Sequence, residues 1–214
     1  MSDQAPTSPS FSDSLRPKVA SILQPIGRGL IRLGINADAI TIAGTVLMAI
    51  VGVLLANGQF LIGGGLVIVS APLDALDGTV ARLAGQASKF GAFLDSTSDR
   101  YAEGFILIGL LIYGLTRRED WIVVLSFVAM WGSFAVSYTR ARAEGLGYEC
   151  KIGLLTRLER FILIVVMLLT GWILPGLIAL AVLTHVTALQ RIVYVRGAMR
   201  TGSSKSDTWE TGRK

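Results

Sequence analysis

Apolar residues come in long blocks along this chain, and the short breaks between the blocks carry most of its charge. Residues 1–14 hold Ser, Thr, Pro and Asp with little to bury, which predicts a disordered tail. From Leu15 to about Leu33, Val19, Ile22, Leu23, Ile26, Leu30 and Leu33 fall at helical spacing, with Arg16, Lys18, Arg28 and Arg32 between them. That pattern predicts a basic amphipathic helix lying along an anionic membrane surface, bent at Pro25. Gly34 to Ala37 reads as a turn, and Asp38 as the N-cap of a first spanning helix over Ala39–Ala56. Asn57 and Gly58 form the next turn. The following apolar run, Phe60 to Leu73, is too short to span alone, so its helix is expected to continue through Asp74 and Asp77 to about Ala84. Further helices are predicted over Phe90–Leu115, Trp121–Ala143, Arg157–Trp172 and Leu177–Met199, with Pro175 and Gly176 in the last turn. The fold class is therefore an all-α integral membrane protein, with six transmembrane helices preceded by an interfacial helix. Residues 15–200 form one domain, and 201–214 a second disordered tail.

Composition agrees with this pattern. The 214 residues are 52% hydrophobic and only 16% charged, with mean hydropathy +0.59, more apolar than an average soluble domain. A net charge of +5 and a pI near 9.7 raise the question of nucleic acid. The cations, however, sit at the ends of apolar runs and form no single basic patch, so no nucleic-acid partner is expected. With both termini cytoplasmic, only Arg117 and Arg118 of the twenty Lys and Arg fall outside. This asymmetry supports six spans in the cell membrane with the polar site facing the cytoplasm. The single cysteine, Cys150, excludes an intrachain disulfide. Residues 1–15 lack the apolar stretch of a cleavable signal peptide, leaving the first membrane helix as the insertion signal.

The candidate chemistry lies in DALDGTVARLAGQASKFGAFLDSTSD, Asp74 to Asp99. Carboxylates beside hydrocarbon cost about 2.5–3.5 kcal/mol each on insertion scales, and four together repel one another. Something cationic must compensate them. Asp74 and Asp77 are three residues apart, and Asp95 and Asp99 four, so each pair projects from one face of its helix. All-oxygen ligation suits Mg2+, Mn2+ or Ca2+ rather than zinc. Four carboxylates hold one ion or two, and two suit a reaction at a pyrophosphate. Arg82, about two turns after Asp74, is placed to bind phosphate. Gly78 and Gly91 permit close approach of a ligand or a neighbouring helix.

The spacing DxxDGxxAR followed after eight residues by GxxxDxxxD resembles the signature of the CDP-alcohol phosphotransferase family, matched at Asp74, Asp77, Gly78, Ala81, Arg82, Gly91, Asp95 and Asp99. The resemblance implies six membrane helices, an amphipathic N-terminal helix, a homodimer, and transfer of a phosphatidyl group from a CDP-linked lipid to an alcohol with release of CMP. It implies that Asp74, Asp77, Asp95 and Asp99 bind Mg2+ or Mn2+, as two ions. It gives Asp99 the further role of general base, and Asp77, Gly78, Ala81 and Arg82 contacts to the CDP-lipid. The segment GINADAITIAG is similar to the family's G-[LI]-T-P-N-x-[LI]-T-x-x-G, keeping Gly34, Ile40, Thr41 and Gly44 and departing at Asn36, Ala37 and Asp38.

The acceptor is read from the arginines of the last three helices. SYTRARAEGLG followed by TRLER resembles the inositol-phosphate branch of the family, with Leu158 where that branch has Pro and Thr156 where it has Glu. The resemblance implies a CDP-diacylglycerol or CDP-archaeol donor and an inositol phosphate acceptor, whose phosphate is held by Arg140, Arg157, Arg160 and Arg191. Glycerol 3-phosphate is the alternative acceptor. A cation transporter using intramembrane carboxylates is the alternative from another class; it requires the acids to be spread along a pathway. Glu103 is expected in the polar cleft or paired with a basic residue such as Arg100. His185 is expected to be a packed or hydrogen-bonding group of the last helix.

Overall fold

The computed structural model describes residues 23–200. Both expected tails, and residues 15–22 of the expected amphipathic helix, lie outside the described residues. Among the described residues all regular structure is helical: α1 (residues 23–32), α2 (Ala37–Ala56), α3 (Phe60–Leu83), α4 (Lys89–Arg117), α5 (Asp120–Gly145), α6 (Arg157–Thr170) and α7 (Ile173–Arg200). Two details differ from the sequence reading. The cap of α2 is Asn36, whose Oδ1 accepts the Ala39 N–H at 2.9 Å, so Asp38 sits inside the first turn. Pro175 lies in the first turn of α7 and not before it, a position where a missing N–H leaves no helix bond unmade.

Helices α2, α3, α5 and α7 are long and apolar enough to cross a membrane. These four mark a membrane protein. α4 has the length, with 29 residues, but Asp95, Asp99, Arg100 and Glu103 crowd its first half. α6, at 14 residues, measures about 21 Å at 1.5 Å per residue, against a hydrocarbon core of about 30 Å.

The chain forms two compact units. Among the described residues, one comprises residues 23–46 together with Val69–Asp99. Its core is Leu23, Ile40, Leu76 and Val80, with Leu30, Ile31 and Ala37 packed around it. Part of the apolar face of α1 is thus covered by α2 and α3, while Ile26 and Leu33 stay exposed. The other comprises Leu47–Ile68 and residues 100–200. Val51, Leu55, Leu107, Leu110, Met167, Leu168, Leu177 and Leu180 fill its core, and α7 packs on both α5 and α6. A Cβ on Gly109 would collide with the backbone of Gly52. The two helix backbones therefore touch there, a contact that small residues make possible between membrane helices.

Candidate active site

The link between α3 and α4 is short because both helix ends are closed locally. At the end of α3, Gly85 takes φ 64°, and the Gln86 N–H donates to the Ala81 carbonyl at 2.9 Å. This is the left-handed glycine stop that satisfies the last carbonyls of a helix. At the start of α4, Ser88 Oγ accepts the Gly91 N–H at 2.9 Å, an N-cap bond. Only residues 84–88 separate the helices, so the acids near the end of α3 meet those near the start of α4.

Asp74, Asp95 and Asp99 come together, each offering a carboxylate oxygen within 4.8 Å of the others. Asp74 is exposed and the other two half-buried. Three convergent carboxylates form an all-oxygen donor set of the kind hard divalent cations prefer. Asp77 is placed differently. It is buried, at 7% exposure. Its Oδ2 accepts the Thr41 hydroxyl at 2.7 Å and its Oδ1 the Gly78 N–H at 2.5 Å. Each of these oxygens keeps a second lone pair, so the bonds orient Asp77 without using up its capacity as a ligand.

Arg82 folds back along α3. Its Nη2 lies 3.3 Å from Thr79 Oγ1, and its Nη1 is 3.3 Å from where a Cβ on Gly78 would stand. Gly78 thus leaves room for the guanidinium. Ala81 is half-buried on the same helix. A Cβ on Gly91 would stand 3.7 Å from Asp38 Oδ1, so the carboxylate freed from capping α2 lies beside the start of α4. Sequence reasoning missed the Thr41–Asp77 bond, although Thr41 belongs to the segment whose pattern is kept.

In the other unit the four nominated arginines divide into two kinds. Arg140 and Arg157 are exposed. Arg140 Nε donates to Glu144 Oε1 at 2.8 Å, one turn along α5, the four-residue spacing at which helix side chains pair. Arg160 and Arg191 are each only 3% exposed. Arg160 Nε and Nη2 donate to the two oxygens of Glu103 at 2.8 and 3.3 Å, and its Nη1 to the Leu155 carbonyl at 3.3 Å. Ser133 Oγ adds a bond to Glu103 at 2.8 Å. Glu103 therefore ties α4, α5 and α6 together. Arg191 donates from Nε to the Ile152 carbonyl at 2.9 Å and from Nη1 to the Val136 carbonyl at 2.5 Å. It pins the loop before α6 onto α5, and the Thr187 hydroxyl helps by accepting the Leu155 N–H at 3.0 Å. Thr156, the N-cap of α6, bonds Glu159 at the third helical position, so TRLER starts its helix with a Thr-x-x-Glu pairing. Cys150 is fully buried in this loop; burial pushes its thiol pKa up, against the pull of the nearby Arg191 charge. His185 Nδ1 lies 2.8 Å from the Ala181 carbonyl, a hydrogen-bonding group within α7.

Comparison with known proteins bears on these sites. Residues 35–193 match the sequence model for CDP-alcohol phosphatidyltransferase. An archaetidylinositol phosphate synthase of Pyrococcus horikoshii is 39% identical over 194 residues, covering 88% of this chain and 98% of the relative. The crystal structure of Mycobacterium tuberculosis phosphatidylinositol phosphate synthase with CDP-DAG bound superposes with a TM-score of 0.76 at 31% identity, over 82% of this chain and 94% of that one. The same enzyme in complex with manganese and citrate gives a TM-score of 0.72 at 31% identity, over 81% and 88%.

Proposed function

The chain belongs to the CDP-alcohol phosphatidyltransferase family, and on that premise we propose that it transfers a phosphatidyl or archaetidyl group from CDP-diacylglycerol or CDP-archaeol to inositol phosphate, releasing CMP. The observation that carries this reading is the convergence of Asp74, Asp95 and Asp99 within the matched region. Relatives named for inositol phosphate products support the acceptor. The neighbour that binds manganese supports a divalent ion here. Mg2+ or Mn2+, as two ions, would be held by Asp74, Asp95 and Asp99 with Asp77, and when bound supplies charge stabilisation at the pyrophosphate.

The residues divide the remaining work. Asp99 accepts the proton of the acceptor hydroxyl as its oxygen bonds to the lipid-side phosphorus. The bond from that phosphorus to the bridging oxygen breaks, and CMP leaves with that oxygen. Arg82 and the small residues Gly78 and Ala81 receive the CDP portion, while Thr41 keeps Asp77 in a single orientation. Arg140 and Arg157, both exposed, contact the acceptor phosphate. Arg160 and Arg191, already bonded internally, act from behind by positioning the loop and the start of α6.

The same reading sets the protein in the cell membrane as one domain over 15–200. It has six spans, with α4 and α6 completing the four apolar ones, and α1 lies at the cytoplasmic interface beside the site. Homodimerisation is supported by exposed Val124, Phe127, Trp131 and Phe134, which follow the alternating three- and four-residue spacing of a helix–helix seam on α5. The test is CMP release by reconstituted protein given CDP-diacylglycerol and Mg2+ with either labelled inositol phosphate or glycerol 3-phosphate. Product from inositol phosphate is expected; product from glycerol 3-phosphate alone overturns the acceptor, and no release with either overturns the transferase reading.

A further inference from the structure

Beyond the transferase site, the C-terminal ends of α5 and α7 enclose a groove of about 440 Å3 that the proposed chemistry does not use. Arg142 enters it from α5, and Arg196 and Arg200, one turn apart, enter from α7. All three are exposed, and among the described residues no carboxylate lines the groove. The described acids just beyond Arg142 have cationic partners: Glu144 pairs with Arg140, and Glu149 with Lys151. The walls are apolar, with Leu146, Ile192 and Met199 exposed at 45%, 53% and 45%. Arg191 also borders the groove, but its Nε and Nη1 are given to backbone carbonyls.

We infer that this groove binds the headgroup phosphate and upper acyl chain of an anionic phospholipid of the surrounding bilayer. Both helices are membrane-spanning candidates, so their ends lie where headgroups meet hydrocarbon. Arginine suits this depth, because its stem lies on apolar surface while its planar fork bonds a phosphate. A net negative headgroup is favoured over a zwitterionic one, whose own cation competes with the guanidinium groups. Orienting the protein requires only cations on this side of the membrane, anywhere along it. Here three from two helices surround one apolar-walled cavity, and a soluble phosphate would leave those walls uncovered.

The test is native mass spectrometry of the full chain, released from vesicles of equal parts phosphatidylglycerol and phosphatidylcholine with matched acyl chains. The expected result is preferential retention of phosphatidylglycerol, reduced about tenfold or more in Arg142→Gln/Arg196→Gln/Arg200→Gln, given the additive pull of each basic residue on anionic lipid. Arg117→Gln/Arg118→Gln, with the same kind of change at the other end of the bundle, is expected to retain it fully. CMP release by the triple variant checks that the protein is folded, and is expected to persist. Unchanged phosphatidylglycerol retention in the triple variant overturns the inference. So does an equal loss in the Arg117/Arg118 variant, equal retention of both lipids by the parent protein, or complete displacement of lipid by inorganic phosphate.

Discussion

The acids of the first unit and the arginines of the second are held in opposite ways. Asp74, Asp95 and Asp99 converge as three like charges, Asp74 exposed and the other two half-buried, whereas Arg160 and Arg191 are buried and commit their donors to Glu103 and to backbone carbonyls. Converging like charges repel and raise the cost of the folded state, a cost that the proposed cation would offset. Buried arginines with their partners in place make sense as fixed supports.

The comparison is broken most directly at Asp99. Asp99→Asn is expected to lower CMP release by about 10^2–10^4-fold, the contribution of a positioned general base, with the circular dichroism and melting of the parent protein. Release within a few-fold of the parent would remove Asp99 as the base. Next is the support. Glu103→Gln leaves Arg160 charged and buried beside a neutral amide, and breaking such a pair costs about 3–5 kcal/mol. Chemical denaturation in detergent should report that loss, and a change below about 1 kcal/mol, the range of exposed pairs, would show that burial does not set its weight. A smaller effect is expected at Thr41, which bonds Asp77, one of the proposed metal ligands. Thr41→Val should weaken Mn2+ affinity by about tenfold, the low end for residues that orient a ligand, with little change in melting. Mn2+ titration followed by electron paramagnetic resonance measures this, and equal affinity would detach Thr41 from the site. The smallest effect concerns Cys150. Burial raises its thiol pKa, so the reactive thiolate is scarce near pH 7 and grows as pH rises. Iodoacetamide labelling of the folded protein should be slow at pH 7 and rapid once denatured; prompt labelling of the folded protein would mean that the loop opens.

The helices and the acid site were largely legible in the chain. Apolar blocks between Gly, Asn and Pro breaks place six elements from α2 to α7 within a few residues, because a spanning helix must satisfy its own backbone in a run of fixed length. The chief miss is at Pro175, where a turn residue and a first-turn residue look alike in sequence. The three- and four-residue spacings of the aspartates announce one face per helix, and a linker of five residues leaves the faces little choice but to meet. Asp38 misled for a local reason. Both Asn36 and Asp38 are good caps, and only the backbone path out of Gly34 decides which side chain reaches the Ala39 N–H.

The class of molecule and the inventory of its chemistry are written in the chain: membrane helices, a cluster of carboxylates, and an arginine-rich end. Those follow from composition and short-range spacing, which are properties of one segment at a time. Which charges converge with like charges and which are buried against partners depended on the packing of distant segments. Asp77 meets Thr41 across 36 residues, and Arg160 meets Glu103 across 57. A guanidinium or carboxylate has the same formula whether it faces a ligand or a buried partner. Its role is set by the helix that packs against it, through desolvation and hydrogen-bond geometry, and no local pattern records that neighbour.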